Sequence, residues 1–339
     1  MEKYNTVIVG AGPGGLHCAK ILAENDEDFI LFERKSEFDH KICTGLWGIS
    51  EKTKYMSLPD KLFEKKFSKA TFSTQNKKVE VRYKEPFVAT LNRKELSEYM
   101  YKQALRAGAN IEFGANVKSI GKKFLIVNDR KVYFENLIGA DGSSSIVRRS
   151  LGLSKDMGMG IQYWVKKEYK YIECHFDADK FGPWYSWIAP HRGVTSIGAG
   201  SDPKVLPMKR LKENLDSWCR ERNIPIENAE YEGAPINYHY EGYKFGNKYL
   251  VGDAAGFTSG LTGEGIYFAM ASGEDVAKMI LNSRHKPALI NKVLSIKKKH
   301  EMIAKTFQLN KTMEKIEQGF ILELLKFKSF DKFVIDLIA

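Results

Sequence analysis

The stretch that most constrains this chain is Gly10-Ala-Gly-Pro-Gly-Gly, set between the short apolar run Thr6–Val9 and a helical stretch from Leu16 to Asn25. Glycines at 10, 12 and 15 fit the spacing G-x-G-x-x-G, and Pro13 and Gly14 complete the turn. With that spacing Gly10 allows a tight turn, Gly12 lets backbone approach a diphosphate, and Gly15 lets the helix pack close to the strand. The diphosphate then meets the positive end of the helix. Phe29–Phe32 reads as the next strand. It ends in Glu33, about twenty residues on, where a carboxylate accepts hydrogen bonds from ribose hydroxyls. Strand, glycine turn, helix and strand make half of a dinucleotide-binding fold. An acidic residue at 33 disfavours a 2′-phosphate, so FAD or NAD fits better than NADP.

The rest of the chain reads as further α/β structure with inserted sheet. Residues 69–90 alternate polar and apolar side chains (Ala70, Phe72, Val79, Val81, Tyr83) and predict strands outside the dinucleotide core. Asn92 to Arg106 reads as a helix with Asn92 as its cap, followed by strands near Phe124–Val127 and Leu137–Ile138. From about residue 155 to 241, short alternating segments rich in aromatics predict an antiparallel sheet. Tyr249–Val251 leads into a helix from about Gly263 to Asn282, and residues 286–339 form a lysine-rich helical tail. The expected division is a discontinuous dinucleotide region (1–68, 87–153 and 242–285), a sheet region (69–86 and 154–241) and C-terminal helices (286–339).

Composition narrows the setting. A chain of 339 residues is long enough for two packed regions. It has no uninterrupted apolar run of the roughly 18 residues or more that marks a membrane-spanning helix. The N-terminus opens directly into a strand, which predicts no signal peptide. Cys18, Cys43, Cys174 and Cys219 are scattered without a C-x-x-C pair, so a reduced cytoplasmic chain is expected. His17, His175, His191 and His239 lack metal-ligand spacing and read as structural or surface residues, and no metal site is expected. The net charge of +11 suits an acidic partner, an anionic membrane surface or simple solubility. No recognition motif points to nucleic acid.

Two later segments decide between the cofactors. Gly139-Ala-Asp-Gly-Ser-Ser-Ser-Ile-Val-Arg-Arg and Gly252-Asp-Ala-Ala-Gly-Phe-Thr-Ser-Gly-Leu-Thr-Gly-Glu-Gly-Ile resemble the two further fingerprints of the para-hydroxybenzoate-hydroxylase-like flavoproteins. The resemblance implies a Rossmann-type FAD-binding domain carrying an inserted antiparallel-sheet substrate domain. It implies that Asp253 holds a ribitol hydroxyl and that the helix opening at Gly263, Gly265 and Ile266 points at the flavin. It places Asp141, Gly142 and Arg93 by the diphosphate, with Arg34 and Val117 also on the FAD wall. Asp253 is equally suited to capping a helix, Asp141 to an ordinary turn, and Arg93 to a solvated helix position.

The chain also resembles one group within that family. Lys41-Ile-Cys-Thr-Gly-Leu, Tyr185-Ser-Trp-Ile-Ala-Pro and the run Leu261 to Gly273 are similar to segments of the geranylgeranyl reductases, including the archaeal digeranylgeranylglycerophospholipid reductases. Ala189 departs from the usual aromatic residue, and Gly260 stands where a proline is common. The resemblance implies saturation of prenyl C=C bonds by hydride from reduced flavin N5 plus a proton. Cys43 would pass the proton or position the chain, and Gly45, Tyr185 and Trp187 would meet substrate. The aromatics Tyr163–Trp164 and Trp184–Trp187 either line an apolar tunnel or fill sheet core. Ferredoxin or NAD(P)H would supply electrons, and a lipid substrate implies peripheral contact with the inner membrane face. A flavin monooxygenase or halogenase on the same scaffold is the alternative, though a halogenase shows tryptophan where this chain has Tyr185. A flavin-binding protein without turnover is the third reading.

Overall fold

Val7, Ile8 and Val9 form a β-branched run suited to a strand covered on both faces, and all three are buried. They end β1 (Glu2–Val9), which runs into α1 (Pro13–Ala23) and β2 (Phe29–Glu33). The structure, a computed structural model, describes residues 2–38, 42–50, 56, 58–154 and 156–307. Next come β3 (Leu46–Gly48), β4 (Phe63–Phe67), β5 (Lys69–Ser73), β6 (Lys78–Arg82) and β7 (Val88–Leu91). Then α2 (Arg93–Arg106) starts under the Asn92 side chain, which accepts the Lys94 and Glu95 N–H groups at 2.9 and 3.2 Å.

The central sheet continues with β8 (Ile111–Phe113), β9 (Val117–Ile120), β10 (Phe124–Val127) and β11 (Arg130–Gly139). Short α3 (Ile146–Ser150) follows. β1 pairs in parallel with β2 on one side and β11 on the other. On its far edge β11 carries two partners in succession. β10 lies antiparallel along Arg130–Tyr133, and β18 (Lys248–Leu250) lies parallel along Leu137–Gly139.

A seven-stranded sheet stands apart. It contains β5 and β6 together with β12 (Gly158–Val165), β13 (Ile172–His175), β14 (Ser186–Pro190), β15 (Thr195–Ser201) and β16 (Glu230–Ile236). All its pairings are antiparallel except β13 with β5, which run parallel. Two helices interrupt this region, α4 (Ala178–Phe181) and α5 (Met208–Glu221), where sequence reading gave sheet alone. On α5, Leu211, Leu215, Trp218 and Cys219 form one helical stripe. They bury the outer face of the sheet with Ile161, Tyr163, Ile188, Ile197 and Ala199. The two-residue period of the strands therefore leaves Gly160, Gln162, Trp187, Gly198 and Gly200 on the inner face, towards the dinucleotide region.

A third, small sheet of β3, β7 and β4 bridges the other two. After β17 (Lys244–Phe245) and β18, the chain forms α6 (Ile266–Leu281) and α7 (Ala288–Phe307). The expected tail beyond 307 lies outside the described residues. No helix among the described residues is long and apolar enough to cross a membrane.

Candidate active site

The glycine turn separates into residues that pack and a residue that stays open. A Cβ on Gly15 would lie 2.1 Å from the Gly10 carbonyl oxygen, and one on Gly14 would lie 2.9 Å from the Ala269 oxygen of α6. Both glycines let α1 close on its neighbours, and neither lines the cavity. Gly12 differs. A Cβ there would meet nothing nearer than the Ala140 oxygen at 3.5 Å, so the protein's own packing does not demand glycine. What lies in front of Gly12 is a cavity of about 820 Å³, walled also by Gly10, Pro13, Glu33, Arg34 and Val117. The Glu33 carboxylate accepts the Ala11 N–H at 2.8 Å and the Lys35 N–H at 3.0 Å, which fixes it across the turn. The first turn of α1 has no side-chain cap, and its N-cap Gly12 and first residue Pro13 stand at the cavity wall.

Asp141, which abuts Gly10, lines the same cavity with Gly142, Asp253, Gly263, Gly265 and Ile266. Asp253 accepts from Thr258 Oγ1 at 2.6 Å and from Ser143 Oγ at 3.1 Å, so it joins the second and third fingerprints. Asp141 accepts the Ile146 N–H at 2.6 Å, anchoring α3, yet its Oδ1 is buried without a partner. Burial raises its carboxyl above the ordinary range and favours the neutral form, which carries a donor. α6 begins at Gly265 with no side-chain cap and points its N-terminus into the cavity. Arg148, also of the second fingerprint, is buried and donates to the carbonyls of Ser154 and His239 and to Glu241.

Arg93 is buried, with its Nε and Nη2 lacking partners among the described residues, and it too lines the cavity. A buried guanidinium with idle donors is costly unless an anion meets it. Its Nη1 lies 3.8 Å from Cys43 Sγ, and the Gly45 N–H lies 3.4 Å from the same sulfur. Both contacts bring donors to Cys43, so its own S–H is left to turn elsewhere.

The inner face of the seven-stranded sheet forms the remainder of the wall. Trp187 lies over Gly198, where a Cβ would be 2.3 Å from the indole, and Trp184 lies over Gly200, at 2.2 Å. The glycines leave room for two indoles to lie against the strands as an aromatic floor. Trp187 Nε1 donates to Ser196 Oγ at 2.9 Å, and Ser196 Oγ donates to Gln162 Oε1 at 2.7 Å. Thr44 Oγ1 also reaches that Oε1, at 3.2 Å, which ties the Cys43 loop to the floor. Tyr185 donates to the Thr262 carbonyl at 2.7 Å, and burial raises its phenol pKa. Phe72, Ile172, Phe176 and Leu261 close the space with apolar surface.

Tyr163 and Trp164, candidates for the tunnel, do not line it. Tyr163 points to the outer face and bonds Asp216 at 2.6 Å, while Trp164 lies past the cavity and bonds Glu232 at 2.8 Å. Gly260 makes room for Tyr238, whose ring would be 3.1 Å from a Cβ there. His191, read as structural or surface, is buried and reaches Glu64 and, at 2.8 Å, the Thr44 carbonyl beside Cys43. Trp184, named with Trp187 as a tunnel candidate, lines the cavity; Gln162, Thr44 and Cys174 are cavity residues that the sequence did not single out as contacts. Period-two alternation once the strand register is known is the signal that would have found Gln162.

An open glycine turn, two uncapped helix N-termini, idle Arg93 donors and an acidic ribose-side residue suit a dinucleotide with an anionic centre. The FAD binding domain family matches residues 45–283, most of the chain. The chain belongs to that family, and FAD is its cofactor. Its family is one of flavin-dependent oxidoreductases, and the relatives it resembles include proteins named geranylgeranyl diphosphate reductase and digeranylgeranylglycerophospholipid reductase. It is 27% identical over 303 residues to the digeranylgeranylglycerophospholipid reductase of Methanocaldococcus jannaschii, covering 80% of this chain and 75% of that one. A geranylgeranyl bacteriochlorophyll reductase-like protein from Thermoplasma acidophilum shares the fold, with TM-score 0.77 and 18% identity over 93% of this chain and 90% of that one. A flavin-dependent brominase shares it as well, with TM-score 0.76 and 15% identity over 99% and 93% of the two chains. The fold alone therefore does not choose the chemistry.

Proposed function

We propose that this flavoprotein saturates C=C bonds in geranylgeranyl or related prenyl chains of membrane lipids or lipid precursors. The observation that carries this reading is one continuous cavity that has both a backbone-lined dinucleotide wall and an apolar aromatic floor. Reduced FAD supplies the hydride when bound. The protein's part is to hold an unactivated chain in register beside it, because an isolated alkene offers no carbonyl to polarise. Trp184, Trp187 and Tyr185 seat the chain, with Gly45 in the adjoining loop meeting it through its backbone. Cys43 gives its S–H proton to the second carbon as the hydride reaches the first, so one alkene, one hydride and one proton make one alkane. Solvent then reprotonates the sulfur. Gly10, Gly12, Pro13, Glu33, Arg34, Arg93, Val117, Asp141, Gly142, Asp253, Gly263, Gly265 and Ile266 hold the cofactor. Gly14 and Gly15 act on it only by closing α1 behind the turn.

The same reading divides the chain into the FAD region and the sheet region at the boundaries given above. It takes ferredoxin or NAD(P)H as donor and places the protein against the inner membrane face. The test is to reduce the bound flavin with dithionite under argon, add a geranylgeranyl lipid, and follow flavin absorption. Reoxidation without oxygen supports the reductase. A flavin that stays reduced until air enters, and then yields oxygenated or halogenated product, favours the monooxygenase or halogenase.

A further inference from the structure

One buried cation lies behind this cavity. Lys297, on α7, has a side chain only 2% exposed. Its Nζ donates to the Tyr238 carbonyl at 2.6 Å and the Thr258 carbonyl at 3.0 Å, and pairs with Glu301 at 3.1 Å. Three acceptors match the three N–H donors of an ammonium group. The two carbonyls belong to different walls. Thr258 is the residue whose hydroxyl donates to Asp253, and it leads into the loop before α6. The Tyr238 ring packs edge-on against Trp184, with centroids 5.7 Å apart, and against Gly260. One turn further along the helix, His300 Nδ1 lies 2.8 Å from Ser259 Oγ, and that oxygen accepts the Leu261 and Thr262 N–H groups at 3.2 and 3.0 Å. Thr262 in turn receives the Tyr185 hydroxyl. Ile303, a further turn on, reaches the cavity wall itself.

We propose that Lys297 is a positioning residue that ties the flavin-facing loop to the aromatic floor and so sets the separation between the cofactor and the chain lying on that floor. The flavin half of this statement rests on FAD binding, and the floor half on the prenyl reading above. Without the cation, Thr258 and Tyr238 lose their common anchor, and Asp253 and Trp184 no longer share a fixed spacing.

The test compares the purified wild type with Lys297→Met and Lys297→Arg. Three quantities are measured: FAD affinity by titration of the apoprotein, fluorescence of the bound flavin, and apoprotein melting temperature. Lys297→Met should weaken FAD binding about tenfold, the factor set by one lost charge-assisted hydrogen bond. Its bound flavin should be brighter, because the indoles that quench it stand further off. Lys297→Arg should recover most of both. A Lys297→Met protein that melts lower but binds FAD with wild-type affinity and wild-type fluorescence would overturn the proposal, since a merely structural residue behaves that way. Should Lys297→Met fail to fold, His300→Gln reads the same tie one turn along, and wild-type affinity and fluorescence there would overturn it too. Loss of FAD binding in every protein, wild type included, is failure of the flavin assignment itself. Normal FAD behaviour with no turnover of prenyl lipid in the wild type confines failure to the substrate reading.

Discussion

The two sides of the cavity are built by different means. The flavin side is made largely of backbone: a glycine turn, two uncapped helix starts and loops at Gly142 and Gly263–Gly265. The substrate side is made of large side chains, Trp184 and Trp187, laid over glycines on neighbouring strands. Backbone can grip an anion only where the chain turns in one particular way, so its demands fall on residues close in sequence. A side-chain floor needs residues from strands that meet only through sheet register. The first kind of site tolerates little change at its glycines, and the second adapts its shape by exchanging side chains.

Mutations can break this contrast, and the largest effect belongs to packing. Gly15→Val should cost at least about 3 kcal/mol and leave little folded protein, because its Cβ has 2.1 Å to the Gly10 oxygen. Circular dichroism melting checks it. Cys43→Ala should lower turnover of a prenyl lipid about 10²-fold or more while FAD affinity stays put, as for a lost general acid. Full turnover would remove Cys43 from the chemistry. Gly12→Ala should fold normally and bind FAD at least about tenfold more weakly, since the space in front of it is kept for ligand rather than for protein. An unchanged affinity would show that the wall is not the diphosphate site. Trp184→Ala should lower kcat/KM for the lipid about tenfold and leave FAD affinity alone. If it weakened FAD as much as substrate, the two sides would not be separable.

The smallest effect concerns pH. Burial lowers the Lys297 pKa, with Glu301 opposing the shift. A lysine with a depressed folded pKa holds fewer protons than its unfolded counterpart between the two values, so folding stability rises with pH in that window. Wild type should therefore gain stability relative to Lys297→Met as pH climbs from neutral towards the unfolded lysine value of about 10.4. Paired melts across that range check the sign. A gap that narrows would contradict it.

The same contrast explains what could be read from the sequence. The flavin side was legible because its chemistry is local: Gly10 to Gly15, Glu33, Asp141 and Asp253 each announce themselves in a short segment. The cap at Asn92 and the strand Phe124–Val127 were legible for the same reason. The floor was half legible. Tyr185 and Trp187 stood out through a segment, but Tyr163 turned away because α5 covers that face, and α5 was not foreseen; Trp164 lies past the cavity against Glu232. Its stripe, Leu211, Leu215 and Trp218, lies within a strongly charged segment where only the helical spacing gives it away. Gln162, His191 and Lys297 escaped because their partners are distant in sequence, at Ser196, Thr44 and Thr258.

The most direct test of the central claim is isotopic. The reduced protein is exchanged into D2O under argon, mixed with a geranylgeranyl lipid, and the product is weighed by mass spectrometry. The account predicts one deuterium on each carbon of every saturated bond, one delivered by way of the flavin and one by way of Cys43. A lipid recovered unchanged beside fully reduced flavin would contradict it.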